Sequence, residues 1–569
     1  MRIGIAMSHL AFRLLLVALP LTGGAALAQG LPPPVPTGGY TPAGGGALPP
    51  AAVDTRVGDL RGYFAQAFGN IPAPEAARTL TYTAGIDLSE IYDTNAVTSD
   101  KGTHDLITQI TPSFGVNAQT ARLTGSLFYS PSANYYVYHS NQSYFAQNLN
   151  AAGTAVIVPD WLTFDVRGYA ADQAISGFNG PTTTGTTTLN RSNSALTYSF
   201  SAGPTLSHQF GGTAVVQLGY LVSYTAYGAN NTTPTPQQRA LNQSAITQQE
   251  FAVLATGEDF GRFSNTLAAN GSQSSGSGML TTSHDNTITD TVAYAITYSL
   301  SVNASVGYEN IQYSGGNAFN TTGSAYNTRG ATWSVGGRWT PDPDTEFDAG
   351  YGYQQGQNSA YLNASFTPAP NTHVFATHSQ SVGTNVSNLQ RAVAGTSVGP
   401  NGVTFINNTN TPTVLTNNFI GVRPGLFRTT TTSVTAVVTH PRDIYTVGIT
   451  HYNSSQLANG ITGSTINNSS TSTYGTATWG HDLSVDLHSN VLAEYGINGG
   501  SGVTNQGFNN NQGTYLLNGI LTYSISDTLS VSASFTQTNQ PNGTNQPNGT
   551  NTHVMSREIA IVSLHKTIF

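Results

Sequence analysis

From about residue 78 to the end of the chain, hydrophobic and polar positions alternate with a period of two. In Thr213–Tyr227 the even positions are Ala214, Val216, Leu218, Tyr220, Val222, Tyr224 and Ala226. The odd positions hold Thr, Gln, Gly and Ser, with Val215, Leu221 and Tyr227 as exceptions. In Leu300–Glu309, Leu300, Val302, Ala304, Val306 and Tyr308 share one face, and Ser301, Asn303, Ser305, Gly307 and Glu309 share the other. In Thr332–Trp339, Trp333, Val335 and Trp339 lie opposite Ser334 and Arg338. Successive side chains of a strand point to opposite faces, so this pattern predicts strands with one apolar and one polar face. A sandwich would place Lys and Glu on its polar face; here that face is mostly Ser, Thr, Asn and Gly.

The punctuation between strands is asymmetric. Pro159-Asp160, Gly211-Gly212, Pro341-Asp342-Pro343-Asp344, Pro368-Ala369-Pro370-Asn371, Pro441-Arg442-Asp443 and Ser526-Asp527 read as short turns. The other connections, near 174–193, 228–245, 315–328, 385–428, 453–470 and 539–552, are long and rich in Asn, Thr and Gly. Short turns on one side and long loops on the other are the mark of outer-membrane barrels. The expected fold is all-β: a transmembrane antiparallel up-and-down β-barrel of about 22 strands, within a range of about 18–24, each spanning segment about 9–11 residues long. The pair near 246–270 is the hardest to place, because Gly257-Glu258-Asp259-Phe260-Gly261-Arg262 interrupts the alternation. Phe569 supplies the terminal aromatic of a last barrel strand, but Thr567, His565 and Ser563 stand where alternate apolar residues are expected.

Composition narrows the class further. Charged residues make up 8% of the 569-residue chain, against about 25% in soluble domains. The mean hydropathy is nevertheless −0.17, and there are 61 Gly. A bundle of membrane helices needs apolar runs of about 20 residues and is ruled out. With 28 Tyr and 23 Phe the chain is too aromatic for a charged disordered one. The absence of cysteine excludes disulfides, thiolate metal sites and a lipoprotein anchor. The net charge of −8, with no basic patch, gives no reason to expect a nucleic-acid partner.

The N-terminus is an export signal followed by a linker. Arg2 and Arg13 supply the positive stretch ahead of the apolar Leu14–Leu19, and Ala26-Leu27-Ala28 is an A-x-A cleavage site. Residues 1–28 are therefore expected to be removed after Ala28. Residues 29–77 form a Pro/Gly-rich linker with a short amphipathic helix carrying Leu60, Tyr63, Phe64, Ala67 and Phe68 on one face. Residues 78–569 form the barrel. The expected location is the outer membrane of a Gram-negative bacterium, with membrane lipid and lipopolysaccharide as partners.

No enzyme constellation stands out. There is no G-x-S-x-G, H-E-x-x-H, P-loop or dinucleotide fingerprint, so no catalytic residue, metal or cofactor is expected. Charges on the polar face of strands are candidates for the pore lining: Asp87, Arg122, Asp165, Arg167, Glu309, Arg338, Asp348, Asp486, His488 and Glu494. A charge facing lipid at mid-depth costs up to about 2–4 kcal/mol, which assigns them to the lumen. Asp165 with Arg167, and Arg338 with Asp348, are expected to pair. Tyr82, Tyr220, Tyr224, Tyr308, Trp333, Trp339, Tyr353 and Tyr495 lie on apolar faces and read as interface aromatics.

Six segments occur in order: Asp93-Thr94-Asn95, Asp105-Leu106-Ile107-Thr108-Gln109-Ile110-Thr111-Pro112, Leu123–Tyr129, Asn148–Ala151, Val158–Leu162 and Gly257–Arg262. Over residues 80–265 this series resembles the β-barrel porins associated with exopolysaccharide and exosortase (PEP-CTERM) loci of Gram-negative bacteria. The resemblance implies an outer-membrane barrel with a role in exopolysaccharide secretion, alongside polysaccharide and periplasmic export components; it supplies no catalytic residues. The leading expectation is a pore for polar, carbohydrate-like material. A gated, plugged uptake transporter and a structural or adhesive barrel acting through the 385–428 loop are the alternatives.

Overall fold

The computed structural model describes residues 79–96, 103–174, 194–229, 242–256, 260–278, 281–314, 326–342, 345–394, 396–398, 404–406, 412–413, 425–458, 469–501, 512–541 and 554–568. The expected signal segment, linker and amphipathic helix, Phe569 and most of the long connections lie outside them.

The strands form one closed antiparallel barrel with 22 strand positions. It runs from Thr79–Asp93 to Val554–Thr567, and these two strands pair to close the ring. Each strand pairs with its sequence neighbours, so the barrel is up-and-down as the alternation predicted. Closure satisfies every strand edge within the wall, which a lipid environment demands. The third position is interrupted: Leu123–Tyr129 and Ser132–Tyr136 both pair with Asp105–Gln119. The fourth is likewise split into Tyr144–Ala146 and Asn148–Val158.

The outward face is apolar. Leu88 on the first strand is 47% exposed and its register partner Leu564 on the last is 43% exposed. Ile110, Phe164, Val222, Val306, Val335, Ile449 and Leu521 continue the band around the ring. Such a surface is stable against lipid, not water. All eight aromatics singled out in the sequence lie on the outward phase of their strands, Trp339 against Phe347 and Trp333 against Tyr351. Among the described residues no helix is long and apolar enough to cross a membrane.

The inward face is held by small polar pairs across strands. Ser199 and Thr225 hydroxyls lie 2.7 Å apart, Ser305 and Ser334 2.5 Å apart, and Asn518 Nδ2 donates to Thr536 Oγ1 at 2.7 Å. Each such pair contributes a few tenths to about 1 kcal/mol.

The asymmetry of the connections is real. All the short turns named from sequence fall on one rim. The disruption at 257–262 falls between Gln243–Thr256 and Phe263–Ser277, which pair as antiparallel neighbours; Phe260, Gly261 and Arg262 lie on that rim, and 257–259 fall outside the described residues. One connection on the opposite rim is shorter than expected: Gln355 and Gly356 alone join Thr345–Gln354 to Gln357–Ala369. Both have positive φ, +53° and +74°, the backbone that a two-residue hairpin loop requires.

Candidate gate across the lumen

The segment after Gly383 enters the barrel instead of forming an outer loop. Thr372–Gly383 is the fifteenth strand position, yet Asn385, two residues on, meets the seventh: Tyr227 OH donates to Asn385 O at 3.0 Å. Walls eight strand positions apart, about a third of the way round the ring, are thereby bridged. The helix Asn385–Ala394 follows, then three short strands, Thr396–Val398, Thr404–Ile406 and Pro412–Thr413, which form a separate small sheet. Thr396–Val398 lies against the third and fourth strand positions.

Local sequence explains the helix. Thr384 and Ser387 cap it reciprocally: Ser387 N donates to Thr384 Oγ1 at 3.2 Å, and Thr384 N to Ser387 Oγ at 2.9 Å. Val386, Leu389 and Val393 recur at helical spacing and pack on Tyr169, Tyr227 and Ala245 of the wall. A helix of this length is marginal alone. Burying those side chains contributes about 1.5–3 kcal/mol each, so the wall contact is what sustains it.

Polar contacts fix its position. Arg167 Nη1 donates to Val393 O at 3.4 Å and to Thr396 O, placing a cation at the helix C-terminus where the macrodipole favours one. Thr247 Oγ1 donates to Gln390 Oε1 at 2.9 Å. Arg391 turns back to Val382 O (2.8 Å) and Asn388 Oδ1 (2.7 Å). Its guanidinium lies over Gly383, where a Cβ would come within 2.2 Å of Nη2.

A second set of contacts sits beside the helix. Glu309 accepts from the amides of Gln355 (2.8 Å) and Gly356 (3.1 Å), and Arg428 Nη2 and Tyr326 OH donate to Gln355 O. Ile311 and Tyr313 above it pack on Val382 and Leu426.

The candidate charges separate into distinct roles. Asp87 pairs with His565 Nδ1 at 2.8 Å on the inner face of the closing seam. Asp165 accepts from Thr154 Oγ1 at 2.5 Å, while Arg167 reaches the helix end, so the expected Asp165–Arg167 pair gives way to separate partners. Arg338 stands opposite Asp348 in register, but its ion pair is with Glu346, at 3.0 Å, one inward position nearer the turn. His488 Nδ1 lies 2.8 Å from Asp482 Oδ1 near the short-turn rim. Glu494 is inward and 6% exposed.

Arg122 and Asp486 are not on strands at all. Thr120 Oγ1 accepts from the amides of Arg122 and Leu123, and Ser484 Oγ from those of Asp486 and Leu487. These hydroxyl-closed turns end the strands before either charge can face the lumen.

Sequence reading missed Glu346, Gln390, Arg391 and the buried pair of Asp93 with Arg557. It also expected an inner face made mostly of Ser, Thr, Asn and Gly. Ile91, Ile107, Tyr136, Ile559 and Ile561 instead form an apolar inward cluster at the seam, stable because they cover one another. Among the described residues no cluster of three or more metal-ligating side chains occurs.

No family model and no curated protein matches the chain. Among solved structures it is similar to the FrpB iron transporter from Neisseria meningitidis, at 8% identity over 85% of this chain and 81% of that chain, with a TM-score of 0.47. The ferric-catecholate import receptor Fiu from E. coli K12 aligns at 11% identity over 85% and 82%, TM-score 0.45. The siderophore receptor PirA from Acinetobacter baumannii aligns at 8% identity over 87% and 81%, TM-score 0.45. A likeness at this level carries no functional assignment.

Proposed function

We propose that this protein is an outer-membrane conduit for polar solutes, gated by the inward segment 384–398 and closer to a gated transporter than to an open porin. The observation that carries the reading is the bridge from Tyr227 to Asn385, with Arg167 holding the far end of the same helix. The apolar outward band supports membrane residence, and the hydroxyl- and amide-lined inner face supports passage of hydrated cargo. The gate stands at the rim of the long connections, taken as the outer rim because periplasmic turns are short. A solute arriving from outside meets it first, which favours uptake. Export of a glycan, implied by the resemblance to exopolysaccharide-locus porins, would need the same segment to withdraw.

Swelling of proteoliposomes in uncharged sugars tests the reading. The native protein should admit small sugars slowly, and Arg167→Ala should admit them faster. Fast swelling by both at equal rates would contradict a gate; no swelling by either would favour a structural barrel.

A further inference from the structure

A cleft runs between the gate helix and the inner wall built by Gln243–Thr256, Phe263–Ser277 and Thr282–Ala295. Two polar atoms in it are buried without a hydrogen-bond partner: Gln390 Nε2 and Asn270 Oδ1. Gln390 is only 6% exposed, and Thr247 holds its Oε1, so the other end of the amide is left over. A buried unsatisfied donor or acceptor costs about 1–3 kcal/mol. Here a donor and an acceptor line the same space, together with the hydroxyl of Ser272.

We propose that this cleft is a solute subsite for a neutral polyhydroxylated molecule, one polyol or saccharide unit, with Gln390 donating to it and Asn270 accepting from it. A hydroxyl both donates and accepts, so adjacent hydroxyls satisfy the two orphaned atoms together. Asp285 and Arg391, of opposite sign, line the same cleft. Their charges offset one another, which disfavours a net anion or cation. The subsite rests on the conduit reading, because a solute in the cleft lies on the lumen wall against the gate.

Calorimetric titration of the full-length, detergent-solubilised barrel with maltose, run beside maltose block of its ion current, tests this. Saturable binding is expected, weakened at least tenfold by Asn270→Ala and by Gln390→Leu. It should be unchanged by Gln248→Ala, which alters the outward face. Asn270 is on the wall, so its variant remains informative if Gln390→Leu displaces the helix. Equal affinity in native protein and both variants would overturn the subsite, as would no binding by a barrel that retains heat-modifiable mobility. Current without binding overturns the subsite and leaves the conduit standing; binding without current supports the subsite and overturns the conduit.

Discussion

Asp93, near the end of the first strand, and Arg557, near the start of the last, form a two-pronged ion pair on the inner face of the barrel seam, although 464 residues separate them. Their side chains are 1% and 3% exposed. Below them along the seam come Ile91 with Ile561, Ser89 with Ser563 at 2.8 Å, and Asp87 with His565. The polar residues of the last strand thus meet polar partners on the first. This accounts for His565 and Ser563, which looked anomalous beside the apolar alternation of a terminal strand.

Breaking that pair from one side should be severe. Arg557→Met leaves a buried carboxylate without its cation, with the Asn95 amide still donating to it at 2.9 Å, a loss of about 3–5 kcal/mol. Urea unfolding from lipid vesicles should show it. Replacing both partners, as Asp93→Leu with Arg557→Met, should restore much of the stability, because Ile91, Ile559 and Tyr136 already surround the site. A single variant as stable as the native protein would remove the seam pair from the account.

The outward face has an unequal tolerance for charge. Val335 faces Ala304 and Tyr351, with Val302, Val306, Ala349 and Tyr353 as diagonal neighbours, so Val335→Arg finds no partner and should lose about 2–4 kcal/mol and most heat-modifiable barrel. Val306 is 65% exposed, but its partner is Asp290, on the same outward face and held by Asn265 Nδ2 at 2.7 Å. Arg at 306 can pair with Asp290, so Val306→Arg should be the milder variant. Equal yields of the two would mean that Asp290 does not offer a partner there.

Much of the wall was legible in the sequence because a period of two leaves no freedom: once Val302, Val306 and Tyr308 face lipid, Ser301, Ser305 and Glu309 must face inward. Roles on the inner face were less legible. They depend on diagonal neighbours, as for Arg338 and Glu346, or on segments remote in sequence, as for Arg167 and Val393. The gate helix did leave a signal: Val386, Leu389 and Val393 at helical spacing behind Thr384-Asn385-Val386-Ser387. It sits inside a stretch whose Asn, Thr and Gly content reads as an outer loop.

The Arg338–Glu346 pair, 36% and 41% exposed, should contribute no more than about 1 kcal/mol. Arg338→Gln is therefore expected to assemble normally. It removes an inward positive charge beside Glu346 and Asp348 and should shift ion selectivity toward cations in reversal-potential recordings. Unchanged selectivity with measurable current would place this cluster off the conduction path.

Glu309 should matter for the shape of the rim more than for permeation. Glu309→Ala removes the acceptor of two turn amides, and hydrogen exchange at Gln355 and Gly356 should accelerate. Unchanged protection of those amides would show that Tyr326 and Arg428 hold the turn without it.

If an inward segment gates the 22-strand barrel, single-channel conductance of the native protein should differ from that of a variant lacking residues 385–398. Small or infrequent openings are expected for the native protein, and a large, stable conductance, several-fold higher, for the deletion. Equal conductance in both, with both barrels folded, would contradict the gate.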